Sequence, residues 1–394
     1  MRWWPLSAVV AVVLIQARGL VDTPQLTENL QATPSADSGS RAARPRAASR
    51  HCSGAGLSSS EPSKSRRSWA PHHGWRRLCL ARACGNVALP SGALALASRV
   101  EILLTMSAAS ERTGAVPASG TELAYLRIGD GAPVVIIPGG PRFGFEHLRP
   151  ALDSLAVTRE VIYVDERGSG SSPAGDVDSI STAGTLTDLD AVLDGLELER
   201  VALLGHSLAA HMVALYAATR PERVRALVLL NPAPPFAPEH REEFGKEMRS
   251  RRTPDEAEEM ERVESSPEFE AGDVAAVERY YQLLYTPFFN DRDVALGTQY
   301  RLTENRTRNR DTAKRIFADF GEHGLPIKLG SITCPTLVVH GERDPVPVAS
   351  SAAIADAIPQ GELAVVSGAN HYGFLERPEI FLALVEPFLA THAS

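Results

Sequence analysis

The chain has 394 residues, with 40 Lys plus Arg against 48 Asp plus Glu and a formal net charge of −8, so it is long enough for more than one domain. The charge is a sum of unlike parts: residues 1–105 hold 13 basic and 5 acidic side chains, net +8, and the remainder carries −16. An acidic body argues against nucleic acid as a partner, because phosphate binding needs basic surface.

The first residues, MRWWPLSAVVAVVLIQARG, set Arg2 ahead of an apolar stretch over residues 6–15. This resembles the core of a signal peptide and is too short to span a bilayer. No small-x-small cleavage site follows it. Two readings stand: an exported enzyme with a leader, or upstream sequence ahead of a true start at Met106, which makes the enzyme cytoplasmic. Residues 33–92 are mostly Ala, Arg, Ser, Gly and Pro with no period of 2 or 3.6, so they have little to bury, and residues 1–114 are expected to form a disordered, low-complexity extension. Cys52, Cys79 and Cys84 in that stretch make neither an even disulfide framework nor a metal-ligand spacing, and Cys334 reads as a small buried hydrophobe.

From residue 115 to 394 the pattern is that of an α/β domain. Short apolar, β-branched runs occur at 123–128, 134–137, 161–164, 201–204, 226–230, 336–340 and 363–366, with helical patterns at 186–196, 208–218, 348–358 and 379–389. This alternation predicts a mostly parallel sheet with helices on both faces. It breaks over residues 233–330, where charged and aromatic helical patterns carry no clear strand. Ligands bind at the carboxyl ends of strands in such sheets, so an insertion of this size is expected to roof the site as a helical cap.

The run VALLGHSLAAHMVALYA at 201–217 leaves only Gly205, His206 and Ser207 between a strand and a helix. A turn that tight strains its middle residue and lifts the serine oxygen clear, as in the nucleophile elbow G-x-S-x-G, here with Ala209 in the last glycine position. The plainer reading of Ser207 is a helix cap. Downstream, CPTLVVHGERDPVP sets Asp344 just past one strand and VVSGANHYGFLERPEIF sets His371 just past the last. Serine is a poor nucleophile at neutral pH; an imidazole takes its proton and a carboxylate fixes the imidazole tautomer, so these three types at strand ends point to acyl transfer. The loop VVIIPGGPRFG brings Gly139 and Gly140 after another strand, and the amides of Gly140 and Leu208 are the expected oxyanion donors.

Other candidates read as structural. His206, His211 and His340 suit packed core positions, and Asp165, Arg167 and Gly168 suit a loop held by an Asp–Arg hydrogen-bond pair. Tyr280, Tyr281, Tyr285, Phe288 and Phe289 cluster at near-helical spacing, and of these Tyr281, Tyr285 and Phe288 are the candidates for lining a substrate pocket. No grouping has metal-ligand spacing and no glycine loop has a dinucleotide-site context, so no metal and no cofactor are expected.

With these residues assembled, the chain over 115–392 resembles the α/β-hydrolase fold family, and within it proline iminopeptidase-type aminopeptidases: PGGP at 138–141 is similar to their H-G-G-P and DERGSGSS at 165–172 to their D-Q-R-G-x-G-x-S. The resemblance implies an eight-stranded sheet, a helical cap after the sixth strand, no cofactor and a triad of Ser207, Asp344 and His371. Pro138, Arg142 and Ala209 depart from the peptidase pattern, and the cap offers no segment matching its acidic amine-binding residues. The expected function is serine hydrolysis of a small ester, lactone or amide, with iminopeptidase, carboxylesterase, lactonase and carbon–carbon bond hydrolase as variants. The contrasting reading is a small-ligand receptor without catalysis on the same fold.

Overall fold

Strands whose every residue is apolar must be covered on both faces, and such runs here build the centre of one sheet. The computed structural model describes residues 110–140, 143–149, 151–233, 238–300 and 327–393. The signal-like start, Met106, the low-complexity stretch, Pro141 and Arg142 lie outside them. The strands are β1 (Glu111–Ala118), β2 (Thr121–Ile128), β3 (Pro133–Ile137), β4 (Glu160–Val164), β5 (Val201–His206), β6 (Val224–Leu230), β7 (Thr336–Gly341) and β8 (Gly361–Val366). They form an eight-stranded sheet in the order β1-β2-β4-β3-β5-β6-β7-β8. β2 runs antiparallel to both its neighbours and the pairs from β4 to β8 are parallel. The carboxyl ends of β3, β5, β7 and β8 therefore share one edge.

Alternate residues of each central strand serve opposite cores. Val134 and Ile136 of β3 join one apolar cluster with Phe381, Val385 and Leu389 of the carboxyl-terminal helix, and Val135 and Ile137 join another with Leu189, Val213 and Ile354. That second face is covered by α1 (Thr182–Gly195), α2 (Leu208–Thr219) and the helix Val348–Ala357. α2 is apolar nearly all round because it is buried nearly all round. Each fully buried Val, Leu or Ile on these strands contributes roughly 1.5–3 kcal/mol, so the sheet is the stable platform for the loops at its edge.

After β6 the chain leaves the sheet and returns at β7. The excursion holds α3 (Pro238–Ser250), α4 (Pro254–Glu264), α5 (Pro267–Glu270), α6 (Val274–Tyr285) and α7 (Arg292–Gly297). α4 opens with a capping box in which Thr253 and Glu256 each bond the other's amide, as Thr-x-x-Glu at a helix start requires. The other helices among the described residues, α8 (Val348–Ala357), α9 (Gly373–Glu376) and α10 (Pro378–His392), flank β8. No helix among the described residues is long and apolar enough to cross a membrane.

Two findings differ from the sequence reading. The first strand opens at Glu111, ahead of the expected domain start at 115; its residues are mostly exposed and only Val116 is buried, so no apolar run marks it. The Asp165–Arg167 pair does not form. Arg167 turns its fork onto Asp188 of α1 at 2.5 and 2.7 Å, while Asp165 takes the amides of Phe145 at 2.9 Å and Ser171 at 2.8 Å. Asp165 thus ties the loop after β4 to the loop after β3.

Burial pushes the Asp165 carboxyl up to about 6, against the pull of the Ser171 and Phe145 amides. A carboxyl raised in the folded state binds more protons there than in the unfolded chain, so its contribution falls as pH rises between the two pKa values. Relative to Asp165→Asn, the wild type is therefore expected to lose up to ~3 kcal/mol between pH about 4 and about 6. Urea unfolding of both proteins at a series of pH values checks this, and curves that stay parallel contradict it.

Candidate active site

Ser207 sits between β5 and α2 at φ 54° and ψ −117°, a conformation that side chains with a Cβ avoid. Its neighbours hold it there: its amide donates to the Leu230 carbonyl at 2.9 Å, and its carbonyl accepts from Ala210 and Ala233, each at 3.1 Å. Two glycines let other backbone close in. A Cβ on Gly205 would stand 2.6 Å from the Ala209 carbonyl oxygen, and one on Gly139 would stand 2.3 Å from that of His206. Between the two readings of Ser207 the geometry discriminates, because its side chain makes no cap bond to α2.

Instead the Ser207 Oγ lies 3.0 Å from Nε2 of His371, whose Nδ1 lies 2.7 Å from Oδ2 of Asp344. A carboxylate only accepts, so Nδ1 carries the proton and Nε2 faces the hydroxyl as an acceptor. Asp344 is fixed further by the Asn231 amide at 2.9 Å on Oδ2 and the Val346 amide at 2.8 Å on Oδ1. Burial alone would push its carboxyl up; the His371 imidazole with its hydrogen bond, His340 and the Asn231 amide outweigh burial and hold it below the usual carboxylate range. The structure thus brings together three residues separated by 137 and 27 positions along the chain. Asn231, just past the end of β6 at φ 44°, was not among the expected site residues. Its one sequence signal is an Asn-Pro pair at a strand end, a place where Asn tolerates positive φ.

Gly140 follows β3 at φ +82°, and a Cβ there would meet the Phe143 ring at 2.5 Å. Leu208 opens α2 directly after Ser207.

The expected structural histidines have packing roles. His340 donates from Nε2 to the Val346 carbonyl at 2.9 Å and lies 2.8 Å from the Ser351 hydroxyl. His211 lies 3.0 Å from the Ala233 carbonyl, and burial lowers it to about 4. The His206 ring lies 5.0 Å from that of His371, and burial first, then the nearness of His371 and His147, hold it well below the ordinary value. It is neutral at neutral pH and adds no positive charge beside the site.

The cap brings aromatic rings onto this edge. Phe288 stacks on His371 with centroids 4.3 Å apart, Tyr285 lies 5.2 Å from Phe288, and Tyr281 lies 5.9 Å from Tyr285. Tyr280 instead turns to Phe269, and Phe289 stacks on Tyr372. The segment is bolted to the histidine loop: the Tyr372 amide donates to the Phe288 carbonyl at 3.2 Å, and the amides of Asn290 and Asp291 donate to Glu376 at 2.7 and 2.8 Å.

A family model for the alpha/beta hydrolase fold matches residues 132–378, more than half of the chain. The chain belongs to the α/β-hydrolase fold family. Its similarities within that family are spread over several reactions. The 2-hydroxy-6-oxononadienedioate/2-hydroxy-6-oxononatrienedioate hydrolase 2 of Pseudomonas putida is 28% identical over 282 residues, covering 68% of this chain and 91% of that protein. The proline iminopeptidase of Heyndrickxia coagulans is 24% identical over 295 residues, covering 70% and 98%. Among solved structures, a thermophilic esterase from Thermogutta terrifontis aligns with a TM-score of 0.52 at 22% identity, over 72% of this chain and 100% of that one. The likeness to the esterase shows the fold alone.

The approach at Gly139 has a measurable consequence. Gly139→Ala forces a Cβ against the His206 backbone, which has no flexible end to yield, and is expected to destabilise the protein by about 1–3 kcal/mol. Thermal or urea unfolding checks the size, and an unchanged midpoint contradicts it.

Proposed function

We propose that this protein is a serine hydrolase that cleaves small uncharged esters or lactones through an acyl-enzyme. The observation that carries the reading is the continuous hydrogen-bonded chain from Ser207 through His371 to Asp344, ending on a hydroxyl held in a strained turn and not used as a helix cap. Ser207 Oγ attacks the carbonyl carbon and its proton passes to Nε2 of His371. The amides of Leu208 and Gly140 receive the oxyanion, aided by the partial positive charge at the start of α2. Collapse of the tetrahedral species expels the alcohol, which takes the proton from Nε2. Water then repeats the sequence on the acyl-enzyme and restores the serine. Asp344 holds the His371 tautomer and balances the imidazolium that forms in each half.

Esters and lactones suit the site better than an amide with a free amino terminus. An aminopeptidase must pair a substrate ammonium with a carboxylate free to receive it, and two partly buried acids of the described cap are engaged elsewhere. Glu259 pairs with Arg279 at 2.8 Å, and Glu256 is held by the Thr253 amide at 2.8 Å and by Arg292 at 3.0 Å.

Ser207→Ala is expected to reduce ester turnover by about 10⁶-fold, the size of loss seen when a triad nucleophile is removed, while leaving the unfolding midpoint unchanged. Asp344→Asn is expected to cost about 10³–10⁴ in kcat, since an amide facing Nδ1 favours the wrong tautomer. Activity of either variant within tenfold of wild type overturns the role assigned to it. Short p-nitrophenyl esters are expected to be hydrolysed and prolyl-naphthylamide not; faster cleavage of the amide reverses the choice of substrate. A folded protein that fails to react at Ser207 with a fluorophosphonate is a receptor and not a hydrolase.

A further inference from the structure

The imidazole of His371 is 2% exposed and is packed among rings. Phe288 lies nearest, stacked on it with centroids 4.3 Å apart and planes 30° from parallel; His206 lies 5.0 Å away and Tyr372 meets it edge to face at 5.5 Å. None of these three brings a charge. Phe288 has none to bring, burial keeps His206 neutral, and burial keeps the Tyr372 phenol protonated. The charged group on this imidazole is Asp344, at Nδ1.

Backbone ties hold the Phe288 stack in register. The Asn370 side chain, 3% exposed, bridges the two segments: its Nδ2 donates to the Pro287 carbonyl at 3.2 Å and its Oδ1 accepts from the His371 amide at 2.8 Å. Two residues on, the Tyr372 amide donates to the Phe288 carbonyl at 3.2 Å. The two rings therefore cannot slide apart without breaking buried hydrogen bonds, which is costly. Tyr285 at 5.2 Å and Phe244 at 5.9 Å pack against the Phe288 ring in turn.

We propose that the face of Phe288 stabilises the imidazolium that His371 becomes in each half of the reaction. The proposal rests on the triad reading above. When the Ser207 proton moves to Nε2, the O–H bond breaks, an N–H bond forms and the imidazole gains one positive charge. An aromatic face carries the negative part of the ring quadrupole, and a cation within about 6 Å of its centroid is attracted to it, most strongly where water is excluded. That attraction is small for a neutral imidazole and full for a charged one. It therefore lowers the barrier without tightening the binding of substrate. Asp344 balances the charge in the plane of the imidazole, and Phe288 balances it from the face. Phe288 is thus a positioning residue that acts through His371; it transfers no proton and forms no bond.

The test replaces Phe288 in the full chain, by site-specific incorporation, with 4-fluoro-, 3,5-difluoro- and 3,4,5-trifluorophenylalanine, which drain the ring face step by step and change its shape little. With p-nitrophenyl acetate as substrate, log kcat is expected to fall in step with the number of fluorines, to a total loss of about tenfold, while KM stays within twofold. Phe288→Leu, which fills the space but has no such face, is expected to lose about as much as the trifluoro ring. Packing alone does not follow the fluorine count, so a kcat that is flat across the series overturns the proposal, whatever the leucine variant does. A rise in KM at constant kcat also overturns it and makes the ring a substrate contact. Fluorophosphonate labelling of Ser207 separates the two levels: a wild type that labels and turns over, with a flat series, loses only the role of Phe288, whereas one that neither labels nor turns over removes the hydrolase as well.

Discussion

The backbone strain at Ser207 is the constraint on which the rest of the site depends. A residue with a Cβ at φ 54° and ψ −117° costs about 1–3 kcal/mol, and it persists because its surroundings leave the chain no alternative. Its amide and carbonyl are tied to Leu230, Ala210 and Ala233, and the absence of a side chain on Gly205 lets β5 and α2 meet at the angle that results. If the turn relaxed, the serine oxygen would swing away from Nε2 of His371 and the 3.0 Å contact would open. The strain is therefore the means by which a rigid platform presents a small side chain at a fixed height.

The parallel arrangement of the strands does the rest of the positioning. Because β3, β5, β7 and β8 point the same way, the loop carrying Gly140, the Ser207 turn, Asp344 and His371 all emerge on one edge, although they span more than two hundred residues of sequence. Fully buried strands on two apolar cores deform little, so these loops inherit fixed origins. Side-chain and backbone ties then set the details: Asp165 pins the loop after β3, and Asn231 and Val346 clamp the carboxylate that orients the imidazole.

Much of this was legible in the sequence, and what escaped had a physical reason. β3 to β7 announced themselves as apolar runs because both their faces are buried, and β2 and the edge strand β8 still carry enough apolar residues to show, whereas β1, an exposed edge strand with Arg112, Thr113 and Pro117, has almost nothing to bury and so no pattern. Ser207, Asp344 and His371 could be picked out because their residue types fall just past strand ends, where the topology gathers them. Asp165 and Arg167 were misjudged because nearness along the chain does not say which way a guanidinium turns, and Asp188 on α1 offered it both oxygens. Tyr281, Tyr285 and Phe288 were visible through helical spacing. The stack of Phe288 on His371 was not, because it depends on where the cap lands on the loop after β8, a contact across more than 80 residues.

The hydrogen bonds that fasten residues 286–291 to the histidine loop redraw the boundary between scaffold and cap. Phe288 reaches the cap by sequence, yet its carbonyl is held by Tyr372 and its ring lies on His371, and Asn290 and Asp291 are anchored to Glu376. Mechanically this strap travels with the sheet. Modular exchange among relatives, by recombination or by deliberate grafting, can therefore replace helices α3 to α6 freely only if the splice falls before Thr286; a foreign insert that overwrites the strap would carry away part of the imidazole's own support.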